Sequence, residues 1–317
     1  MASPPPSTPT NPSTGQYYVH LAKQYATGIK DALAFFHVYK VYTQSAPARK
    51  ALKDIVTFNA LICFVNLAIF QYISMPWINR MLSISVNSDN ILIWLLSNTT
   101  SGLLFFIFLL GWMVPTFLFS FILNGKWLAV VSEEAIKLLT KRQVKKDIAS
   151  LFQVPKEITN ELYTTTFYAM FVLQSFICFL IPFVGSIANL LVLCWLYSLY
   201  CFEYKWSHWN IGRRLAHIEN NWAYFAGFGI VVGLPFTLAS YHLGFWIGYT
   251  VWWLLFPLFI ITAVAAKKPQ KVVTQEGSSR MRLFVFAQWL NAFTLNFLVK
   301  VIKIVSGGTQ MEEKKTQ

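Results

Sequence analysis

Two ionisable side chains stand closest to the long apolar runs of this chain: Glu203 and His242. A carboxylate or an imidazole at membrane depth is the usual means of relaying a proton or coupling an ion to a solute. Glu203, however, ends its apolar run with Lys205 two residues on, and His242 sits in a turn between two runs. Both spacings predict interfacial side chains, with Glu203 snorkelling to the boundary, rather than a relay. The four cysteines, Cys63, Cys178, Cys194 and Cys201, lie singly in apolar stretches with no CxxC pair and no histidine cluster. They read as small packing residues, and neither a metal site nor a cofactor site is expected. There is no Ser/His/Asp or Cys/His arrangement, no HExxH, no phosphate-binding glycine loop and no paired carboxylate motif. An enzyme is therefore disfavoured.

The elements that must position these residues are membrane helices. Of 317 residues, 56% are hydrophobic and only 12% charged, about half the charge of an ordinary soluble surface. Six apolar runs are long enough to cross about 30 Å of hydrocarbon: 55–77, 101–123, 164–182, 186–204, 222–241 and 245–266. The expected fold is all-α and polytopic, a six-span domain over 55–266. Pro115, Pro182, Pro235 and Pro257 fall in or at the ends of spans, where each removes a backbone donor and favours a kink. Pro182 and Gly185 separate two runs and predict a tight hairpin on the non-cytoplasmic side.

The flanks differ in composition. Residues 1–16 are rich in Pro, Ser and Thr without charge, a flexible tail lacking the basic start of a signal peptide. In 17–54, Leu21, Tyr25, Ile29, Leu33 and Phe36 recur at steps of three or four, which predicts an amphipathic helix at the membrane surface. The loop 124–163 carries Glu133, Glu134, Lys137, Lys141 and Arg142 at near-helical steps and reads as a solvated cytoplasmic helical segment. Within 267–317, the stretch 281–305 is interrupted by Gln288, Asn291, Asn296, Lys300 and Lys303, and is expected to lie along the membrane rather than through it.

Charge sets the orientation. The net charge is +13, and 25 of the 26 Lys and Arg fall on one face of the six-span arrangement, Arg80 being the exception. The positive-inside rule makes that face, with both termini, cytoplasmic. Basic residues spread over every loop of one face are a topological signal, so nucleic acid is not an expected partner. The sequon Asn98-Thr99-Thr100 falls on the lumenal side close to a span.

The segment after the fourth span is the most distinctive. Tyr204 and Trp206 are placed as aromatic anchors at the cytoplasmic boundary. Arg213, Arg214, Glu219 and Trp222 follow in KWSHWNIGRRLAHIENNW, read as a short helix resting on the surface and able to dock a protein or a lipid headgroup.

The stretch IPFVGSIANLLVLCWLYSLYCFEYKW (181–206), with IENNW (218–222), AGFG (226–229) and FPLFI (256–260), resembles the etoposide-induced protein family. That family is itself distantly similar to bacterial CysZ-type sulfate permeases. The resemblance is specific over about 180–268, and LYCFEYKW (199–206) is its most specific element. It implies a multi-pass endoplasmic-reticulum membrane protein needed for autophagy, in the maturation of autophagosomes into autolysosomes. Animal members are also linked to growth suppression and apoptosis. It implies membrane lipids and cytoplasmic proteins as partners, admits an oligomer, and supplies no catalytic residue. The bacterial cousins imply an alternative, an anion path lined by broken helices.

Overall fold

The computed structural model describes residues 14–69, 114–140, 154–267 and 281–297, with 71–72, 76–77, 80, 83, 99 and 111–112 between them. Every regular element among these residues is helical. In chain order they are α1 (Thr14–Ala32), α2 (Phe36–Gln44), α3 (Ala46–Ile69), α4 (Val114–Thr140) and α5 (Val154–Phe179). Then come α6 (Gly185–Glu203), α7 (Ile211–Asn220), α8 (Trp222–Leu243) and α9 (Phe245–Ala265). A further helix, α10, covers 285–297.

Four of the described helices are long and apolar enough to cross a membrane: α3, α6, α8 and the Ile247–Ala265 part of α9. α3 starts at Ala46, nine residues before the apolar run, so Arg49, Lys50 and Lys53 extend the same helix. Ser45 caps it, its hydroxyl accepting the Ala48 N–H at 3.2 Å. α4 likewise runs without a break from its apolar start through Glu133, Glu134 and Lys137. The first part of the run 101–123, the tail 1–13, the sequon at Asn98, the loop residues 141–153 and the ends of the C-terminal region lie outside the described residues.

The prolines have different settings. Pro115 is the second residue of α4, within the first turn, where a missing N–H removes no helical bond. Pro182 lies in the turn between α5 and α6. Pro235 and Pro257 are interior to α8 and α9, and both helices continue through them.

The helices form two compact units. One gathers α1, α5, α6, α7, α8 as far as Gly233, and α10. In it, Gly28 of α1 and Gly227 of α8 meet backbone to backbone: a Cβ on Gly28 would strike the Tyr224 carbonyl, and one on Gly227 the Tyr25 carbonyl. Gly229 faces α6 in the same way, against the backbone of Cys194. Small residues that let helix backbones touch are the packing device of membrane interiors, where lipid leaves no hydrophobic drive between helices. The AGFG stretch is therefore a two-sided packing surface. Ser198 and Trp195 of α6 also donate to the Phe225 and Trp222 carbonyls, at 2.6 and 3.1 Å.

The other unit gathers α2, α3, α4, α8 from Leu234, and α9. Its core joins Val41, Ala51, Leu52, Val131, Ala135, Ile261 and Val264. Gly244, in the left-handed region at φ 95°, turns α8 into α9.

Candidate functional site

α6 ends at Glu203, and a short turn leads to α7, whose N-cap Asn210 accepts the Arg213 N–H at 2.9 Å. This turn carries Arg214 back to the end of α6. The Arg214 guanidinium donates to Glu203 Oε1 at 2.8 Å, to the Trp209 carbonyl at 3.0 Å and to the Ser207 carbonyl at 3.3 Å. Glu203 Oε2 accepts the Tyr168 hydroxyl of α5 at 2.8 Å. One ion pair thus ties three helices and the turn between two of them. The Arg214 side chain is 10% exposed and that of Glu203 28%. Glu203 is therefore a paired acid rather than a snorkelling one, and Arg214 does not lie on a surface.

Trp206 also departs from the anchor role. It is buried, stacked on Phe202 (centroids 5.0 Å apart) and on Trp209 (5.2 Å, planes 6° apart). The Arg213 guanidinium closes the stack 4.5 Å from the Trp209 ring, a favourable cation–π geometry. Arg213 remains exposed. Tyr204 is half-buried at the C-cap of α6, and Lys205 donates to the Ala266 carbonyl. Leu215 and Ile218 of α7 are buried against this cluster's own unit, so α7 is packed into the protein on one side.

Glu219 is buried and accepts the Phe284 N–H at 3.3 Å. A carboxylate beside the start of α10 favours that helix through its dipole as well as through the bond. Phe284 packs between Phe167 and Phe171 of α5, with centroids at 6.0 and 5.1 Å. Asn291 donates to the Tyr163 carbonyl at 3.3 Å. The stretch at 281–305 is therefore docked on α5 over its described part, and Trp289, Phe293 and Phe297 stay exposed.

The structure thus brings together Glu203, Tyr204, Trp206, Arg213 and Arg214, and places Glu219 on the same α7. Trp222 starts α8 and lends its carbonyl to α6. Pro182 and Gly185 sit at the opposite end of α6, and Pro235 and Pro257 belong to the interiors of α8 and α9. Tyr168, the third partner of the ion pair, is 35 residues from Glu203 in sequence and carries no local signal.

A second polar cluster was also missed. Asn59 of α3 and Asn124 of α4 exchange amide bonds: Asn59 Nδ2 to Asn124 Oδ1 at 2.8 Å and Asn124 Nδ2 to Asn59 Oδ1 at 3.1 Å. Asn124 also donates to the Ser120 carbonyl, and Tyr249 of α9 donates to Ser120 Oγ at 2.9 Å. All four residues are buried. Asn66, two turns on from Asn59, accepts the Trp112 indole N–H at 3.0 Å. The seven-residue spacing of Asn59 and Asn66 was the available signal, since it puts both on one helix face.

Neither cluster pairs a nucleophile with a base, and no group of His, Cys, Asp and Glu among the described residues has metal-binding geometry. What the first cluster can do is hold the end of α6 rigid while presenting Arg213. Several apolar helices of membrane length, with backbone bonds closed within each helix, define a polytopic helical membrane protein.

The family follows from comparison. The model of the family described as sulfate transporter CysZ/etoposide-induced protein 2.4 matches residues 45–243, and the chain belongs to that family. A Dictyostelium discoideum protein named "Protein EI24 homolog" is 26% identical over 277 residues, covering 86% of this chain and 83% of its own. An Arabidopsis thaliana protein of the same name is 29% identical over 221 residues, 61% of this chain and 67% of its own. "Ectopic P granules protein 4" of Caenorhabditis elegans is 26% identical over 161 residues, about half of each chain. No solved structure matches the chain.

Proposed function

We propose that this chain is a non-enzymatic, multi-pass protein of the endoplasmic-reticulum membrane that acts in autophagy, in the maturation of autophagosomes into autolysosomes. Six helices enter the membrane, both termini lie in the cytoplasm, and the 205–222 segment is the working surface toward lipids and cytoplasmic protein partners. Roles in growth suppression and apoptosis accompany this reading through the family. The observation that carries it is the family match over 45–243, which contains the whole Glu203–Arg214 cluster.

The test is re-expression in cells lacking the protein, with degradative autophagic flux as the readout. Wild type restores flux. Arg213→Ala, which leaves the Glu203–Arg214 pair intact, is expressed at wild-type level but restores flux poorly. Unimpaired flux in cells lacking the protein defeats the reading.

The second reading is an anion permease. It is favoured by the sulfate-transporter half of the family description and by the prolines inside α8 and α9. Purified protein in liposomes would then pass sulfate, and a Pro235→Ala, Pro257→Ala double variant would pass less. Absence of flux through folded, inserted protein removes this reading and leaves the first.

A further inference from the structure

We infer that α8 is a jointed helix: Gly233, Leu234 and Pro235 form a hinge, and the stretches before and after it move with different units of the chain. The inference rests on packing and backbone chemistry and not on the role in autophagy.

The first observation is where each stretch is held. Residues 222–233 belong to one compact unit and 234–243 to the other. Up to Gly233 the close contacts are with α1 and α6 of the same unit. Gly227 meets the backbone of Tyr25, Gly229 that of Cys194, and Gly233 the ring of Tyr197. The Tyr224 hydroxyl donates to Asp31, and the Ser198 hydroxyl donates to the Phe225 carbonyl. Beyond Pro235 the partner is α9. A Cβ on Gly248 would strike Ser240, and the Phe236 and Trp252 rings meet edge to face with centroids 6.1 Å apart. Gly244 alone separates this stretch from α9. Each stretch is thus fixed to its own neighbours.

The second observation is burial. The nine buried residues of α8 run from Ala223 to Gly233. None of 234–243 is buried, and Leu234 is exposed. Interlocked side chains transmit strain and resist displacement. On α8 that resistance stops at Gly233.

The third observation is the backbone. Pro235 has no N–H, so the Val231 carbonyl loses its helical donor, and the proline ring crowds that carbonyl. Leu234, as the residue before a proline, is disfavoured in helical backbone. Gly233 has no Cβ to restrict its dihedrals. Three weak positions in succession therefore fall where the helix passes from one unit to the other. A hinge is a few such residues that absorb the change in φ and ψ.

Pro257 supplies the contrast. It is interior to α9, yet Trp253, Phe256, Phe259 and Ile260 on both sides of it are buried, and all of them belong to one unit. No glycine lies within a turn of it. A proline held inside one core is a fixed kink, whereas Pro235 has a core on one side only.

The test uses the full chain in phosphatidylcholine nanodiscs. Nitroxides are attached through a ketone-bearing unnatural residue, which spares the native cysteines, at pairs of exposed positions. Ser207 with Ile187 lies in one unit, Tyr241 with Val56 in the other, and Ser207 with Tyr241 spans the joint. Pulsed dipolar spectroscopy reads the breadth of each distance distribution. The spanning pair is expected to be about twice as broad as the other two. Pro235→Ala, which restores the N–H, narrows it to their breadth, and Pro257→Ala leaves it broad. A spanning pair no broader than the other two overturns the inference, and that comparison decides in the wild-type background should Pro235→Ala fail to fold. A breadth unchanged by folded Pro235→Ala, or narrowed as much by Pro257→Ala, overturns it equally.

Discussion

Two polar clusters among the described residues are built from different chemistry. The α3–α4–α9 cluster of Asn59, Ser120, Asn124 and Tyr249 is neutral, buried and bonded reciprocally. The α5–α6–α7 cluster of Tyr168, Glu203 and Arg214 holds a full ion pair at a helix end, with the carboxylate partly exposed. The difference follows the cost of charge. An ion at membrane depth is expensive even when paired, whereas amides with matched donors and acceptors bring no net charge to solvate. The cluster within the apolar helices is built from amides and hydroxyls, and the ion pair stands at a helix end where its carboxylate stays partly exposed.

Exchanging the two chemistries breaks the comparison. Asn59→Asp places a carboxylate where an amide donates two bonds. On insertion scales such a charge costs about 3 kcal/mol at a helix centre. The expected outcome is loss of the monodisperse protein peak in detergent chromatography. A variant as thermostable as wild type would show that the cluster is wet.

Arg214→Ala is next in size. It leaves Glu203 beside the boundary without its cation, and the expected loss is roughly 2–3 kcal/mol, below that for a fully buried pair because Glu203 is partly exposed. Glu203→Gln on top of Arg214→Ala should recover part of it, read as melting temperature in detergent. Failure to recover would mean that Arg214 matters through the Trp209 and Ser207 carbonyls rather than through the charge.

Asn124→Leu sharpens the neutral side. It takes away the 3.1 Å donor of Asn59 Oδ1, leaving it the Ser120 hydroxyl at 3.5 Å, at about 1–2 kcal/mol, and Asn59→Leu added to it should cost less than the two changes separately. The measure is a double-mutant cycle of thermal stability, and strict additivity would deny the exchange of bonds.

The smallest effect belongs to an ion pair outside the membrane. Lys137, 2.8 Å from Glu134, and the Ser45 hydroxyl at 2.8 Å hold the Glu134 carboxyl below its ordinary value of 4.5. Because the folded group is the stronger acid, its contribution is complete above the ordinary carboxylate range. It is lost as pH falls through the lower, folded value. The pair is exposed, so solvent and salt screen it and its contribution is small. Glu134→Gln should therefore shift melting slightly at neutral pH and not at all in strong acid.

The apolar runs were legible because their signal is an average over about twenty residues. α6 was placed within a residue, and the turn at Pro182–Gly185 was found by its punctuation. The start of α3 was not, because Arg49, Lys50 and Lys53 end an apolar run without ending a helix. Averaging also hid the polar clusters: Asn59 and Asn124 are single residues in apolar windows, 65 positions apart. Glu203 and Arg214 were each singled out, yet their pairing across a turn of irregular backbone has no period to reveal it. Trp206 shows the limit of composition. A tryptophan at a span end is usually an interfacial anchor, and only the stack with Phe202 and Trp209 shows it facing inward.

The crossing of Gly28 with Gly227 bears on how the chain is made. The partner surface of α1 lies about 200 residues downstream, and a ribosome adding 5–20 residues per second needs roughly 10–40 s to deliver it. Throughout that interval the first helix exists without its neighbour, its glycine notch open and Asp31 lacking the Tyr224 hydroxyl that later bonds it. The packing face of α1 therefore stays uncovered during synthesis until α8 is made.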